Sequence, residues 1–165
     1  MPGLSNERGG VMSNRAEWTG RRRVRRVFGF AVLVACVLFF FHANLLFESA
    51  ALILRNVDPL IEHLGAGRAG KVIIFGCFAM LFAAHLAEAA VWGLYVWRQG
   101  LTRTYADGIY FTAVTVTALG YGDVVLLPPW RMLGPLIAIA GLLKFGCSTA
   151  FLFVVIQAIW TRHLV

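Results

Sequence analysis

Three long apolar stretches, separated by short polar ones, dominate the chain. Residues 28–54, 71–97 and 131–160 are each rich in Leu, Val, Ile, Phe and Ala. Each exceeds the ~20 residues an α-helix needs to cross a bilayer. A fourth apolar stretch, 105–117, is too short for that. Thr104 precedes it, and Asp107 three residues on makes a capping-box-like pair that starts a helix there. The pattern predicts an all-α membrane protein with a half-length helix between its second and third spans.

The polar stretches set the boundaries. Residues 1–27 are polar and Gly/Ser/Asn-rich, and are expected to form a disordered basic arm ending in Arg21-Arg22-Arg23-Val24-Arg25-Arg26. Residues 28–54 form an N-terminal membrane helix. Residues 55–70 are expected to be a linker, because Pro59 breaks a helix and Gly65, Gly67 and Gly70 loosen the chain. Residues 71–165 form the remaining domain: outer helix 71–97, short helix 105–117, loop 118–123 and inner helix 131–160. Pro128-Pro129 carries the chain out of the loop, and Pro135 falls in the first turn of the inner helix, where it is tolerated. His42, Asn44 and Glu48 interrupt the first span. Polar groups at such depth usually face protein, so this helix is expected to pack against the others. Trp92, Tyr95 and Trp97 fit an interfacial aromatic belt.

Composition agrees with a membrane protein: 59% of the residues are hydrophobic and the mean hydropathy is +0.75. The net charge is +7, and seven of the 15 basic residues precede Val27. The charge therefore belongs to an arm suited to anionic lipid headgroups, not to a folded basic face, and a nucleic-acid partner is not expected. Cys36, Cys77 and Cys147 lie inside apolar runs, and His42, His63, His85 and His163 show no ligand spacing. No metal site, disulfide framework or cofactor is expected. No H-E-x-x-H, G-x-S-x-G or phosphate-cradling loop is present, so the chain is not expected to be an enzyme.

The run Thr115-Val-Thr-Ala-Leu-Gly-Tyr-Gly-Asp123 resembles the selectivity-filter signature T-V-G-Y-G-D of potassium channels. Its context matches too. Tyr110-Phe111 lies where small bacterial potassium channels carry aromatic residues that brace the filter, and Trp130-Arg131 opens the inner helix as it often does there. Ala140-Gly141, Phe145-Gly146 and Thr149-Ala150 follow the inner-helix pattern A-G-x-x-x-F-G-x-x-T-A. The resemblance covers roughly residues 71–160. It implies a potassium-channel-like pore unit of outer helix, pore helix, filter loop and inner helix, with an extra N-terminal membrane helix. It implies four identical chains in the cell membrane, each giving one filter strand, with K+ as the permeant ion and no other cofactor. The filter carbonyls would be those of Ala118, Leu119, Gly120, Tyr121 and Gly122, with Asp123 at the outer mouth. Phe145 and Thr149 would line the cavity. Gly141 and Gly146 would act as gating hinges, or else as close-packing positions.

Three departures from the pattern bear on that expectation. Ala118 replaces the threonine whose hydroxyl adds a ring of oxygens at the innermost site, so that site is expected to be weaker. Leu119 replaces valine, which leaves the working carbonyl in place. Val114 stands where some relatives have a carboxylate behind the filter, leaving Tyr110 to hydrogen-bond Asp123. No arginine ladder marks a voltage sensor. Gating then falls to the pore itself, to lipid or pH, or to a partner protein, or is absent. A non-conducting regulatory subunit that keeps the pore fold is the alternative reading.

Lys144 lies in the middle of the third span and needs a partner. It is 13 residues from Arg131, ~20 Å along a helix, and Glu88 is 10 residues from Arg98, ~15 Å along its own. His85, three residues from Glu88, shares its face. A Lys144–Glu88 pair with His85 nearby is therefore expected, facing the neighbouring helix because Lys144 lies about 100° from Phe145. Orientation stays open. Arg21–Arg26 belongs in the cytoplasm by the positive-inside rule, whereas three crossings and a pore facing outwards put it outside.

Overall fold

The computed structural model describes residues 5–163, with side chains described for 20–161. It is a bundle of four helices: α1 (Ser5–Leu64), α2 (Ala66–Arg98), α3 (Tyr105–Val116) and α4 (Leu133–His163). Among the described residues there is no strand. α1, α2 and α4 are each long and apolar enough to cross a membrane. The 12 residues of α3 rise only ~18 Å, short of a ~30 Å hydrocarbon core.

Two expected boundaries move. Helix α1 runs through the residues expected as arm and linker, from Ser5 to Leu64, with Pro59 inside it. Residues 1–4 of the expected arm lie outside the described residues. Val27, Ala31, Leu38 and His42 form a narrow buried stripe, and Val57 is buried too. Buried Val27 and Val57 carry tertiary contact just past both ends of the apolar run. The linker shrinks to Gly65, whose φ of 78° is left-handed and suits glycine. Gly67 and Gly70 lie within α2 instead. A helix satisfies its own backbone, which is what an apolar surround demands.

α1 and α2 are antiparallel. Tyr95 donates its hydroxyl hydrogen to the Val27 carbonyl at 2.6 Å near one end, and Ser49 meets Met80 Sδ at 2.8 Å towards the other. α4 is antiparallel to α2, with Gly70 beside Ile159. One apolar cluster gathers Val27, Ala31, Leu38, Trp92, Val96, Phe111, Leu126, Leu133 and Ile137; the other gathers Cys77, Leu81, Phe151, Val155 and Ile159. Helix α1 touches both, since Val34 and Phe28 pack on the first and Leu46, Ala50 and Ile53 on the second. From Val27 to Ile53 is ~39 Å of helix, long enough for a full crossing.

The short helix α3 is wedged between α2 and α4 by backbone contact. A Cβ on Gly93 would lie 2.6 Å from the Ile109 nitrogen, and one on Gly108 would lie 2.5 Å from the Gly93 carbonyl oxygen. A Cβ on Gly141 would lie 2.7 Å from Val116 Cβ and 2.9 Å from its carbonyl oxygen. Gly141, expected as a hinge or a packing position, is thus a close-approach position that brings α4 against the end of α3. Gly146 has no neighbour within 4 Å of a built Cβ and is exposed in the single chain.

Gly93→Ala should lower stability by ~1–3 kcal/mol, because the obstructing atoms are backbone and cannot rotate away. Gly76→Ala, at a position with nothing within 4 Å, should be neutral or gain up to about 1 kcal/mol of helix propensity. Thermal unfolding in detergent compares the two; equal losses would remove the argument from close approach.

Candidate functional site

The local chemistry of α3 positions the loop that follows it. Thr104 is the N-cap, its hydroxyl accepts from the Asp107 amide at 3.1 Å, and the Asp107 carboxylate accepts from the Thr104 amide at 3.1 Å. The helix ends at Val116 with Thr117 as its C-cap, and the amides of Ala118, Leu119 and Gly120 turn back onto it. Ala118 donates to the Thr115 carbonyl at 3.1 Å, while Leu119 and Gly120 both donate to the Val114 carbonyl at 3.0 and 3.3 Å. Ala118, Gly120 and Gly122 have φ of 58°, 58° and 80°, while Leu119 and Tyr121 are not left-handed. Alternate handedness of this kind turns successive N–H groups to one side and carbonyls to the other. Among the described residues no hydrogen bond reaches the carbonyls of 118–122. The segment is exposed, with Leu119 at 58% and Tyr121 at 69%.

Ala118 also explains its own identity. A left-handed φ costs an L-residue ~1–2 kcal/mol, and a β-branched side chain such as threonine is a sharper outlier there. In this conformation alanine is the better fit.

At the end of the loop, Tyr110 donates to Asp123 Oδ2 at 2.6 Å, and the Val124 amide donates to Oδ1 at 3.0 Å. The Tyr110 hydrogen bond holds the Asp123 carboxyl below its ordinary value, and the same bond pushes the Tyr110 hydroxyl up. Phe111 points the other way, buried in the first apolar cluster close to Gly134. Of the two aromatic residues expected to brace the loop, Tyr110 touches it and Phe111 seats the helix beneath it.

About one helical turn beyond the end of α3 lies a buried polar layer. Lys144 Nζ donates to Glu88 Oε2 at 2.7 Å, and both side chains are nearly inaccessible. His85 Nδ1 lies 3.5 Å from the same oxygen. The three residues expected to meet are thus brought together, and Lys144 faces α2. The layer also holds two residues not foreseen in it. His42 of α1 places Nδ1 2.9 Å from Glu88 Oε1 and Nε2 2.8 Å from Ser148 Oγ. Ser148 lies 3.1 Å from His85 Nε2. The histidines show no ligand spacing along the chain, yet His42 and His85 meet in space, with rings 5.0 Å apart. The signal was present: His42 interrupts an apolar run, and Ser148 is four residues from Lys144 on one helix face. Phe145, expected on the cavity, is half-buried and stacks its ring on His85 at 4.2 Å, because the turn that aims Lys144 at α2 brings its neighbour partly round with it. Thr149 is exposed and donates its hydroxyl hydrogen to the Phe145 carbonyl at 2.9 Å.

His42, His85 and Glu88 bring possible ligand atoms within 4.8 Å of one another. The Lys144 ammonium already occupies Glu88 Oε2, and it would repel a dication. The same atoms are engaged in a hydrogen-bonded cluster around a buried ion pair.

The arginine run ends beside the loop face of the bundle. Arg23 lies over the Trp130 ring, 5.6 Å from its centroid, and donates to the Gln99 carbonyl at 3.4 Å. The N-terminal arginines and the 118–123 loop therefore share one end of the bundle, the arrangement that three full crossings require.

Two measurements probe these contacts. Glu88→Gln should cost ~3–5 kcal/mol, since it leaves Lys144 buried and unpaired, and Glu88→Gln with Lys144→Met should cost less than Glu88→Gln alone. Thermal melts of the singles and the double give the coupling; strictly additive losses would mean that the pair is not coupled. At the loop, a depressed carboxyl stabilises above its unfolded pKa, and that contribution is lost as pH falls through the folded value. Tyr110→Phe should move the Asp123 titration up towards its ordinary range, read from its carboxyl 13C shift; an unchanged midpoint would contradict the hydrogen bond.

No curated protein and no solved structure matches the chain. Residues 71–158 match the family described as ion channel, a segment that begins in α2, contains α3 and the loop, and reaches near the end of α4. With more than half of its length matched, and three helices able to span a membrane, the chain belongs to the ion-channel family.

Proposed function

We propose that four copies of this chain surround an axis and conduct K+ through stacked rings of carbonyls from residues 118–122. The observation that carries this reading is the alternation of φ along that segment, with its first three amides tied back to α3 and its carbonyls free. Such carbonyls replace an ion's hydration shell when several chains present them together. Free carbonyls and exposed Leu119, Tyr121, Val125 and Leu127 beside them also favour neighbouring chains over lipid, since irregular backbone at membrane depth is tolerated only in protein or against water. The carbonyl end of α3 carries the negative end of its helix dipole and favours a cation beyond it. Asp123, braced by Tyr110, holds the mouth of the strand in place. Ala118 lacks the hydroxyl that would complete the innermost ring, so selectivity rests on the backbone oxygens. Lys144 does not oppose cation flux in this reading, because its charge is balanced by Glu88.

Purified protein in liposomes should pass K+ faster than Na+. Gly122→Ala should cut flux about tenfold or more, because a Cβ at φ 80° strains the conducting strand by ~1–2 kcal/mol, while the oligomer stays intact. Well-folded oligomers without flux would instead favour a non-conducting regulatory subunit. Equal K+ and Na+ flux would keep the channel and remove the selectivity.

A further inference from the structure

Four side chains of the buried layer close a ring. Its links run from Glu88 Oε1 to His42 Nδ1 at 2.9 Å, from His42 Nε2 to Ser148 Oγ at 2.8 Å, from Ser148 Oγ to His85 Nε2 at 3.1 Å, and from His85 Nδ1 back to Glu88 Oε2 at 3.5 Å. Three of these links are hydrogen bonds and need one hydrogen each; the fourth, His85 Nδ1 to Glu88 Oε2, is at ion-pair distance without one. An ionised carboxylate supplies none, while a neutral imidazole and a hydroxyl supply one each. Two neutral histidines and Ser148 thus bring three hydrogens to four links.

The distances say where the shortage falls. A carboxylate only accepts, so the 2.9 Å link requires the hydrogen of His42 on Nδ1. His42 Nε2 is then bare and accepts from Ser148. The Ser148 hydrogen is now used, and a His85 hydrogen on Nε2 closes the 3.1 Å link to Oγ, whereas on Nδ1 it would face Oε2 across 3.5 Å and leave lone pairs opposed at 3.1 Å. His85 Nδ1 is left as a lone pair facing Glu88 Oε2, and this is the longest link of the ring. The reverse assignment would set two lone pairs against each other at 2.9 Å between His42 and Glu88.

We propose that this ring is a binding site for one proton per chain, taken up at His85 Nδ1. The proton completes the fourth link. It also changes the charge of the layer. The Glu88–Lys144 pair balances while both histidines are neutral, and the proton adds one positive charge to a ring stacked on Phe145 of α4. The protonated Nδ1 then competes with Lys144 Nζ for the same carboxylate oxygen. The titratable groups facing His85 are Glu88 on its own helix, His42 from α1 and Lys144 from α4. Cys147 of α4 lines the cleft beside His42, and among the described residues α3 adds no titratable group to the layer. The site does not depend on conduction, so it stands or falls apart from the channel reading.

The test is 15N-histidine solid-state NMR of the full chain in lipid vesicles, with His63→Gln and His163→Gln so that the signals belong to His42 and His85. From about pH 8 to about pH 5, the range in which histidine changes charge, one imidazolium should appear per chain, at His85, while His42 stays neutral. Neither ring charging, or both charging together, would overturn the proposal. Ser148→Ala separates the hydrogen count from simple attraction to Glu88. Without the hydroxyl, each neutral imidazole turns its single hydrogen to the carboxylate and no position is short, so the imidazolium signal should be lost over the same range. Its persistence would refute the count. If Ser148→Ala does not fold, His85→Phe keeps an aromatic ring on Phe145 and leaves Glu88, His42 and Ser148 with all hydrogens placed. His42 should then remain neutral, and a charged His42 would refute the proposal.

Discussion

A helix that stops halfway through a membrane must be held by protein, because its last carbonyls find neither water nor a next turn. In this chain the holding contact is backbone against backbone. Gly93 and Gly108 let α2 and α3 approach until a single Cβ would collide, and Gly141 does the same for α4 against Val116. Hydrophobic contact alone would not specify the depth of α3, since apolar flanks slide against apolar flanks and lipid tails are as apolar as leucine. Close glycine contacts admit one position along the helix axis. The depth of α3 sets where its carbonyl end lies, and the amides of 118–120 hang from that end. The geometry of the exposed strand is thus inherited from three missing side chains.

The polar layer fixes the other helices in register. Glu88 is shared by His42, His85 and Lys144, so a shift of α1 or α4 by one residue would strand a buried charge. Such a layer need not add net stability, since desolvation offsets much of the attraction, but it penalises every alternative register. It lies between two apolar clusters that carry no comparable discrimination. For α1 the layer matters most. That helix buries only a narrow stripe, with Phe40 at 71% and Phe47 at 77% exposure, and His42 is its polar link to both α2 and α4.

The same packing fixes which end of the bundle the N-terminal arginines occupy. Charge places the arginine run opposite a pore mouth that faces outwards. Packing places it beside the 118–123 loop, through Arg23 on Trp130 and Tyr95 on the Val27 carbonyl. A helix that crosses fully, antiparallel to α2, has no other end to offer.

Features that depend on short-range geometry were legible from the sequence. The Thr104–Asp107 capping box is a matter of three residues, and α3 begins where it predicts. The Lys144–Glu88 contact followed from a constant helical rise, which fixes depth whatever the packing. Left-handed backbone at 120 and 122 falls on glycines, the residue type that tolerates it, whereas at Ala118 the residue type gives no sign of it. Other features depended on azimuth, which rise does not supply. Which face of α1 met Glu88, which ring Phe145 stacked on, and which helix came close at Gly141 were decided only when helices packed. So too was the linker, where Pro59 and the glycines read as loose coil although neighbours held helices on both sides of Gly65. The sequence by itself determined the order of spans, the half-helix and the depth of the buried charges. The tertiary structure alone decided which polar groups share one carboxylate, because that turns on the rotation of three helices about their axes.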